Sequence, residues 1–213
     1  MLLLCAATSF EIAPTLQFLD EQKNRDIRVL ITGVGMLAAT YALTRGVMEH
    51  NPGIILQAGV AGSLDNQLQL TEVVAIENEI IGDLGVEENG SFKDLFKMGL
   101  LNGQKHPFTN DKLVNNNSLL KNCGLKQVNG VTVNEVSTAP GRINYYRSLA
   151  SSVESLEGAA LHYVGLMENI PFLQVRSVSN FAGERNKDRW RLKDAITSLN
   201  NELQQLIDKI LPV

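Results

Sequence analysis

Apolar residues fall in short runs separated by amphipathic stretches, at positions 2–6, then 11–21, 27–32, 36–49 and 54–58. Runs of five or six apolar residues suit buried strands, and the longer stretches repeat their apolar positions at helical spacing, so the order reads βαβαβ. Such an order predicts an α/β fold, an open and largely parallel sheet wrapped by helices. Gly33-Val34-Gly35 supplies a tight strand-to-helix turn ahead of Met36, and Asn51-Pro52-Gly53 ends the helix that follows. The β-branched run at 71–81 predicts two further strand segments. Residues 82–117, rich in Gly, Asn, Lys and Asp, read as a long loop, either a lid or an interface element. Beyond it, 130–136 alternates like a strand, 142–150 reads as a helix, 171–180 is a buried-looking strand preceded by a helix, and 190–211 carries apolar residues at helical spacing. No internal repeat or low-complexity linker divides the chain, so 1–213 reads as one domain.

Composition narrows the classes. A length of 213 residues is enough to bury one large core, and 44% hydrophobic with 20% charged residues excludes disorder and coiled coil. The net charge of -4 leaves no electrostatic footprint for nucleic acid or an anionic membrane. No apolar run reaches the roughly 18–20 residues of a membrane span, and the first seven residues lack a basic leader and read as a strand. Cys5 and Cys123 have neither metal-like spacing nor a disulfide framework, and a reduced cytoplasm is the expected compartment. His50, His106 and His162 form no metal motif, and Gly33-Val34-Gly35 lacks the third glycine of a dinucleotide fingerprint. Neither a metal nor an organic cofactor is expected.

The chemistry-bearing residues lie mostly in the last third. Glu157 follows Leu156 and precedes Gly158-Ala159-Ala160, small residues that let a helix begin close to a ligand; alternatively, Glu157 serves only the helix dipole. The apolar run 171–175 ends in Arg176-Ser177-Val178-Ser179-Asn180, polar groups at the carboxyl edge of a strand, where α/β enzymes bind ligands. Glu11 follows the first strand, and Gly59-Val60-Ala61-Gly62 follows the strand at 54–58, where glycines permit close approach of backbone N–H groups. Glu154 reads as a solvated residue, and the charged stretch 184–191 as a solvated loop and helix entry.

Taken together, Leu156-Glu157-Gly158-Ala159-Ala160, Ser179-Asn180 and Gly59-x-Ala61-Gly62 resemble the purine nucleosidase and nucleoside phosphorylase superfamily. Within it, Gly82-Asp83-Leu84-Gly85-Val86-Glu87 and Asp188-Arg189-Trp190 add a likeness to the futalosine hydrolases. The resemblance implies a three-layer αβα nucleoside phosphorylase-like fold with a central mixed, largely parallel sheet, a small-molecule nucleoside substrate and a homo-oligomer. It implies roles as well: Glu11 activates the attacking water, Glu157 clamps the ribose hydroxyls beside Leu156, Gly59 and Gly62 flank the sugar, and Asn180 meets the purine. Arg176 is either near the water or phosphate pocket or part of a structural ion pair. The implied activity is hydrolysis of futalosine to hypoxanthine and dehypoxanthine futalosine, in the futalosine route of menaquinone biosynthesis.

The chemistry of Asn180 bears on substrate independently. Nucleosidases acting on adenine nucleosides carry Asp there, whereas a carboxamide has both an acceptor and donors and can meet O6 and N7 of hypoxanthine. Adenine's 6-amino group would face the amide NH₂, an unpaired contact worth about 1–3 kcal/mol in a buried site. A carboxylate on the 5′ tail of futalosine calls for a cation, with Arg142, Arg185, Lys187 and Arg189 as candidates. A 6-oxopurine nucleoside phosphorylase, a methylthioadenosine nucleosidase and a nucleoside-binding protein without catalysis are the competing readings; Val60, which has no side-chain donor, disfavours the phosphorylase.

Overall fold

The computed structural model describes residues 1–22, 26–136 and 138–211. The first half follows the βαβαβ order: β1 (Leu2–Ala6), α1 (Ala13–Glu21), β2 (Ile27–Ile31), α2 (Met36–His50) and β3 (Ile54–Ser63). β1 pairs in parallel with both β2 and β3, and every one of its residues is buried, as expected of a strand covered on both faces. Asn51 closes α2 in the left-handed conformation, its N–H donating to Val47 O.

The remaining elements are β4 (Val73–Ile81), β5 (Gly85–Glu88), β6 (Ser91–Asp94), β7 (Phe108–Thr109), β8 (Lys112–Val114), α3 (Ser118–Asn122), β9 (Lys126–Thr132), α4 (Pro140–Ser148), β10 (Val153–Ser155), α5 (Gly158–Met167), β11 (Phe172–Phe181) and α6 (Leu192–Ile210). Three expectations change. The stretch 71–81 holds a single strand, β4, because a register shift between Ile76 and Asn78 absorbs the irregularity that the pattern suggested as a break. The stretch 82–117 is not a bare loop: β5 and β6 pair as a separate hairpin, while β7 and β8 extend the main sheet from β4. The sheet is mixed but not simply open, since β3, β10, β9, β4 and β11 each pair with the next and β11 returns to β3, closing a ring.

Alternation along the strands separates the layers. Leu2, Leu4, Leu56, Leu173 and Val175 face Leu199, Leu203 and Leu206 of α6, with Leu16 and Leu19 of α1 packed against them. Leu3, Cys5, Ile55 and Phe172 face Leu43 and Val47 of α2 and Leu161 and Val164 of α5. Helices on both sides of the sheet give the αβα order, and the long strand β3 is the hinge of the architecture. Its first half pairs with β1 at Ile54–Gln57, and its last residues pair with β10 at Gly62 and Ser63. β1 and β10 therefore occupy the same edge of β3 in succession, and a crevice opens where one gives way to the other, at the carboxyl ends of β1 and β11. No helix among the described residues is long and apolar enough to cross a membrane.

Candidate active site

The crevice is a cavity of about 340 Å³ whose walls include Glu11, Val60, Gly62, Glu154, Leu156, Glu157 and Asn180. Four segments distant in sequence thus meet there: the end of β1, the second half of β3, the β10–α5 junction and the end of β11. A larger hollow of about 550 Å³ lies against the β5–β6 hairpin, lined by Asp83, Glu87, Glu135 and Arg142. There, Arg142 Nη2 lies 2.9 Å from Glu87 Oε2 and its guanidinium carbon 4.2 Å from the centre of the Phe92 ring. The smaller crevice, which gathers polar groups onto an apolar lining, is the better-formed ligand site.

Glu11 lies just before α1 and is held from three sides. Its Oε2 accepts from Thr8 N at 3.1 Å and Thr8 Oγ1 at 3.0 Å, and its Oε1 accepts from Val60 N at 3.2 Å. Gly59-Val60-Ala61-Gly62, expected to follow a strand ending at 58, instead continues β3, and its Val60 N–H serves a protein carboxylate. Glu157 stands at the N-terminus of α5 but does not cap it; its Oε1 accepts from Gly35 N at 3.0 Å across the crevice. The glycine turn before α2 and the glutamate before α5 thereby fix each other.

Arg176 is 1% exposed and lies beneath the crevice wall. Its Nη2 donates to Gln57 Oε1 at 3.1 Å, and its Nη1 is 3.6 Å from Glu157 Oε2. Of the two expectations for Arg176, these contacts match the structural ion pair, with Arg176 as a buried neighbour of Glu157. Gly59 also sits behind the wall. A Cβ there would overlap Arg176 Nη1 and lie 3.1 Å from Glu11 Oε1, so its role is to leave room for those two side chains. Gly62 does line the crevice, and Leu156 contributes apolar surface beside Glu157.

Asn180 reaches the crevice because of a bulge. β11 matches Val178 to Ala61 but Asn180 to Gly62, leaving Ser179 as an extra residue. Without it, Asn180 would continue the inward row of Gln174, Arg176 and Val178, all buried; the extra residue turns the amide outward. Ser179 Oγ, 2.8 Å from Asn180 Oδ1, donates to it, and Asn180 Nδ2 donates to Phe181 O at 3.0 Å. The amide orientation is thereby fixed, and Nδ2 retains a second hydrogen on the side of Gly62.

Glu154 is a second correction. Expected in solvent, it is 4% exposed, because β10 inserts it between β3 and β9. Its carboxyl is pushed up to about 7, first by burial, against the opposing pull of Arg185. Of the charged stretch 184–191, Glu184 and Arg185 line the crevice beside Trp190, with Arg185 stacked 5.6 Å over the indole. Arg189 instead pairs with Glu184 at 3.0 Å, and no side chain of the β5–β6 hairpin lines the crevice. Glu79, which the sequence did not single out, is fully buried behind α5, accepts from Thr132 Oγ1 at 2.9 Å and is also pushed up to about 7 by burial. No group of three or more His, Cys, Asp or Glu among the described residues could hold a metal ion.

Residues 15–212 match the model of the phosphorylase superfamily. The chain belongs to that superfamily. Among the superfamily's members it is 30% identical over 181 residues to the futalosine hydrolase of Thermus thermophilus, covering 84% of this chain and 80% of that protein. Two solved structures from Helicobacter pylori share the fold over 98% of this chain and 97% of theirs. One is a 5′-methylthioadenosine/S-adenosylhomocysteine nucleosidase with butyl-thio-DADMe-Immucillin-A, at a TM-score of 0.82 and 19% identity. The other is a native futalosine hydrolase, at 0.81 and 18%. The phosphorylase-superfamily architecture therefore holds for the whole chain, and the two structural likenesses, at this level of identity, bear on fold alone.

Proposed function

We propose that this chain is a purine nucleosidase that hydrolyses the N-glycosidic bond of a 6-oxopurine nucleoside, with futalosine as substrate and hypoxanthine and dehypoxanthine futalosine as products. The observation that carries the reading is the fixed carboxamide of Asn180. Ser179 holds Oδ1, so the amide offers the crevice an N–H, which suits an O6 or N7 acceptor and opposes the 6-amino group of adenine. The similarity to the Thermus protein supports the futalosine assignment.

In this reading the ribose lies against Glu157, whose carboxylate accepts from the 2′- and 3′-hydroxyls and favours positive charge on the ring as the bond to N9 lengthens. Glu11 takes a proton from water as its oxygen bonds to C1′, and the N9 electron pair leaves with the base. Water is favoured over phosphate as the nucleophile. The Val60 N–H that would otherwise be free for a phosphate oxygen is given to Glu11, and Arg176 is engaged by Gln57 and Glu157 beneath the wall. Of the four cations considered for the 5′ tail, Arg185 alone lines the crevice among the described residues. It is the proposed contact for the tail's carboxylate. The exposed apolar stripe of Leu37, Tyr41 and Met48 on α2 supports a homo-oligomer, checked by light scattering.

The deciding experiment incubates the protein with futalosine, inosine and methylthioadenosine, with and without phosphate, and follows free base and ribose 1-phosphate by chromatography. Futalosine should be cleaved far better than inosine, phosphate should make no difference, and Asn180→Asp should raise the ratio of adenine to hypoxanthine release. Preference of the wild type for methylthioadenosine would favour the second reading, a methylthioadenosine nucleosidase.

A further inference from the structure

One ionisable group in the crevice has no part in the reaction as described so far. Glu154 and Asn180 stand in a single row of the sheet with Gly62 between them. β10 matches Glu154 to Gly62, and the bulged register of β11 matches Asn180 to the same residue from the other side. Residues opposite one another on neighbouring strands send their side chains to the same face, and the middle position of this row has no side chain. A Cβ at Gly62 would lie 3.2 Å from Glu154 Oε1 and 3.4 Å from Asn180 Nδ2. The missing methyl is what lets a carboxyl and a carboxamide converge on the same part of the cavity. Glu154 is also incompletely used by the protein, since its Oε2 is buried and has no hydrogen-bond partner. A buried carboxyl oxygen left unpaired disfavours the charged form and so favours a carboxyl that keeps its proton, while Oε1 is the oxygen turned toward Gly62.

We propose that Glu154 is the general acid of the reaction, donating its proton to N7 of the departing 6-oxopurine while Asn180 donates to O6. The inference rests on the nucleosidase reading and completes it. A carboxamide can orient a base but has no proton to give, and the two acceptors of the base then meet two donors from one row. The balance is simple: the C1′–N9 bond breaks with its electron pair moving into the purine, the Glu154 O–H proton goes to N7, and the base leaves neutral. Water adds to C1′ and gives its proton to Glu11, and the two carboxyl groups exchange a proton through solvent before the next turnover.

The surroundings leave Glu154 partly protonated at neutral pH. β3 presents uncharged Gly62 and Ser63, α4 presents Tyr146, and the segment after β11 presents Arg185, which opposes the effect of burial without abolishing it. Because Glu154 acts in its protonated form, activity falls as pH rises through about 7.

The test is Glu154→Gln, an isosteric change, with pH–rate profiles on inosine or futalosine and a parallel assay on 7-methylinosine, whose N7 is already alkylated and needs no proton. The expected result is a loss of about 10²–10⁴-fold in kcat on the unmodified nucleoside, disappearance of the alkaline limb, and a loss of less than about tenfold on 7-methylinosine. Equal losses on both substrates, a retained alkaline limb, or an unaffected rate would each overturn the general-acid role. These outcomes are read against wild-type turnover of the same nucleosides, so a wild type that releases no base removes the nucleosidase reading, whereas an active wild type with a silent Glu154→Gln removes this inference alone.

Discussion

Glu11→Gln separates a catalytic carboxylate from a structural one, and its consequences can be worked out from three hydrogen bonds. Thr8 N and Thr8 Oγ1 donate to one oxygen, and Val60 N donates to the other. An amide has only one acceptor atom. If its NH₂ takes the Oε1 position it faces the Val60 N–H, and if it takes Oε2 it faces the Thr8 N–H. Either way one backbone donor loses its partner, at about 1–3 kcal/mol when buried, while the Thr8 hydroxyl can rotate to accept. Stability should therefore fall by that amount, about 2–4 °C in Tm per kcal/mol for a chain of this size. Loss of the base is a separate and larger effect on rate, about 10²–10⁴-fold, or roughly 3–5 kcal/mol of transition-state stabilisation. Steady-state kinetics of hypoxanthine release, paired with thermal melts and hypoxanthine binding, distinguishes the two. The expected variant folds, binds hypoxanthine and barely turns over. Turnover within about threefold of wild type would refute the base assignment and leave Glu11 as the brace between β1 and β3.

Three further outcomes follow from the same geometry. Glu157→Gln should narrow the preference for ribo- over 2′-deoxyribonucleosides; equal discrimination by wild type and variant in competition assays would remove the ribose clamp. Gly59→Ala should cost about 1–3 kcal/mol by overpacking, because the new methyl overlaps the buried Arg176 guanidinium, and an unchanged urea midpoint would contradict it. Glu79 is protonated in the folded protein up to about 7 against 4.5 in the unfolded chain, so its contribution to stability is complete below about 4.5 and lost as pH rises through 7. Glu79→Gln should therefore gain on wild type between about 4.5 and 7, by at most about 1.4 kcal/mol per pH unit, and level off above that, in melts run across pH.

What the chain determined by itself is whatever local pattern controls. The alternation of apolar runs and amphipathic stretches carries the α/β order, since burial on two faces demands continuous apolar strands and burial on one face demands helical spacing. Glu11, Glu157 and Asn180 were legible through the family resemblance, with Asn180 also marked by its place at the end of a buried-looking strand. Other features depended on partners that no local window contains. Glu154, between Val153 and Ser155, looks like any charged residue; only the docking of β10 against β3 takes it out of water and sets it beside Asn180. Arg176 reads equally as a ligand contact or a structural ion pair, and only the packed structure sets it against the buried Gln57 and Glu157. The outward turn of Asn180 depends on one extra residue in the register of β11 against β3. Register is a relation between strands, fixed when their side chains pack together, and it was therefore the tertiary structure that decided which polar groups share the crevice.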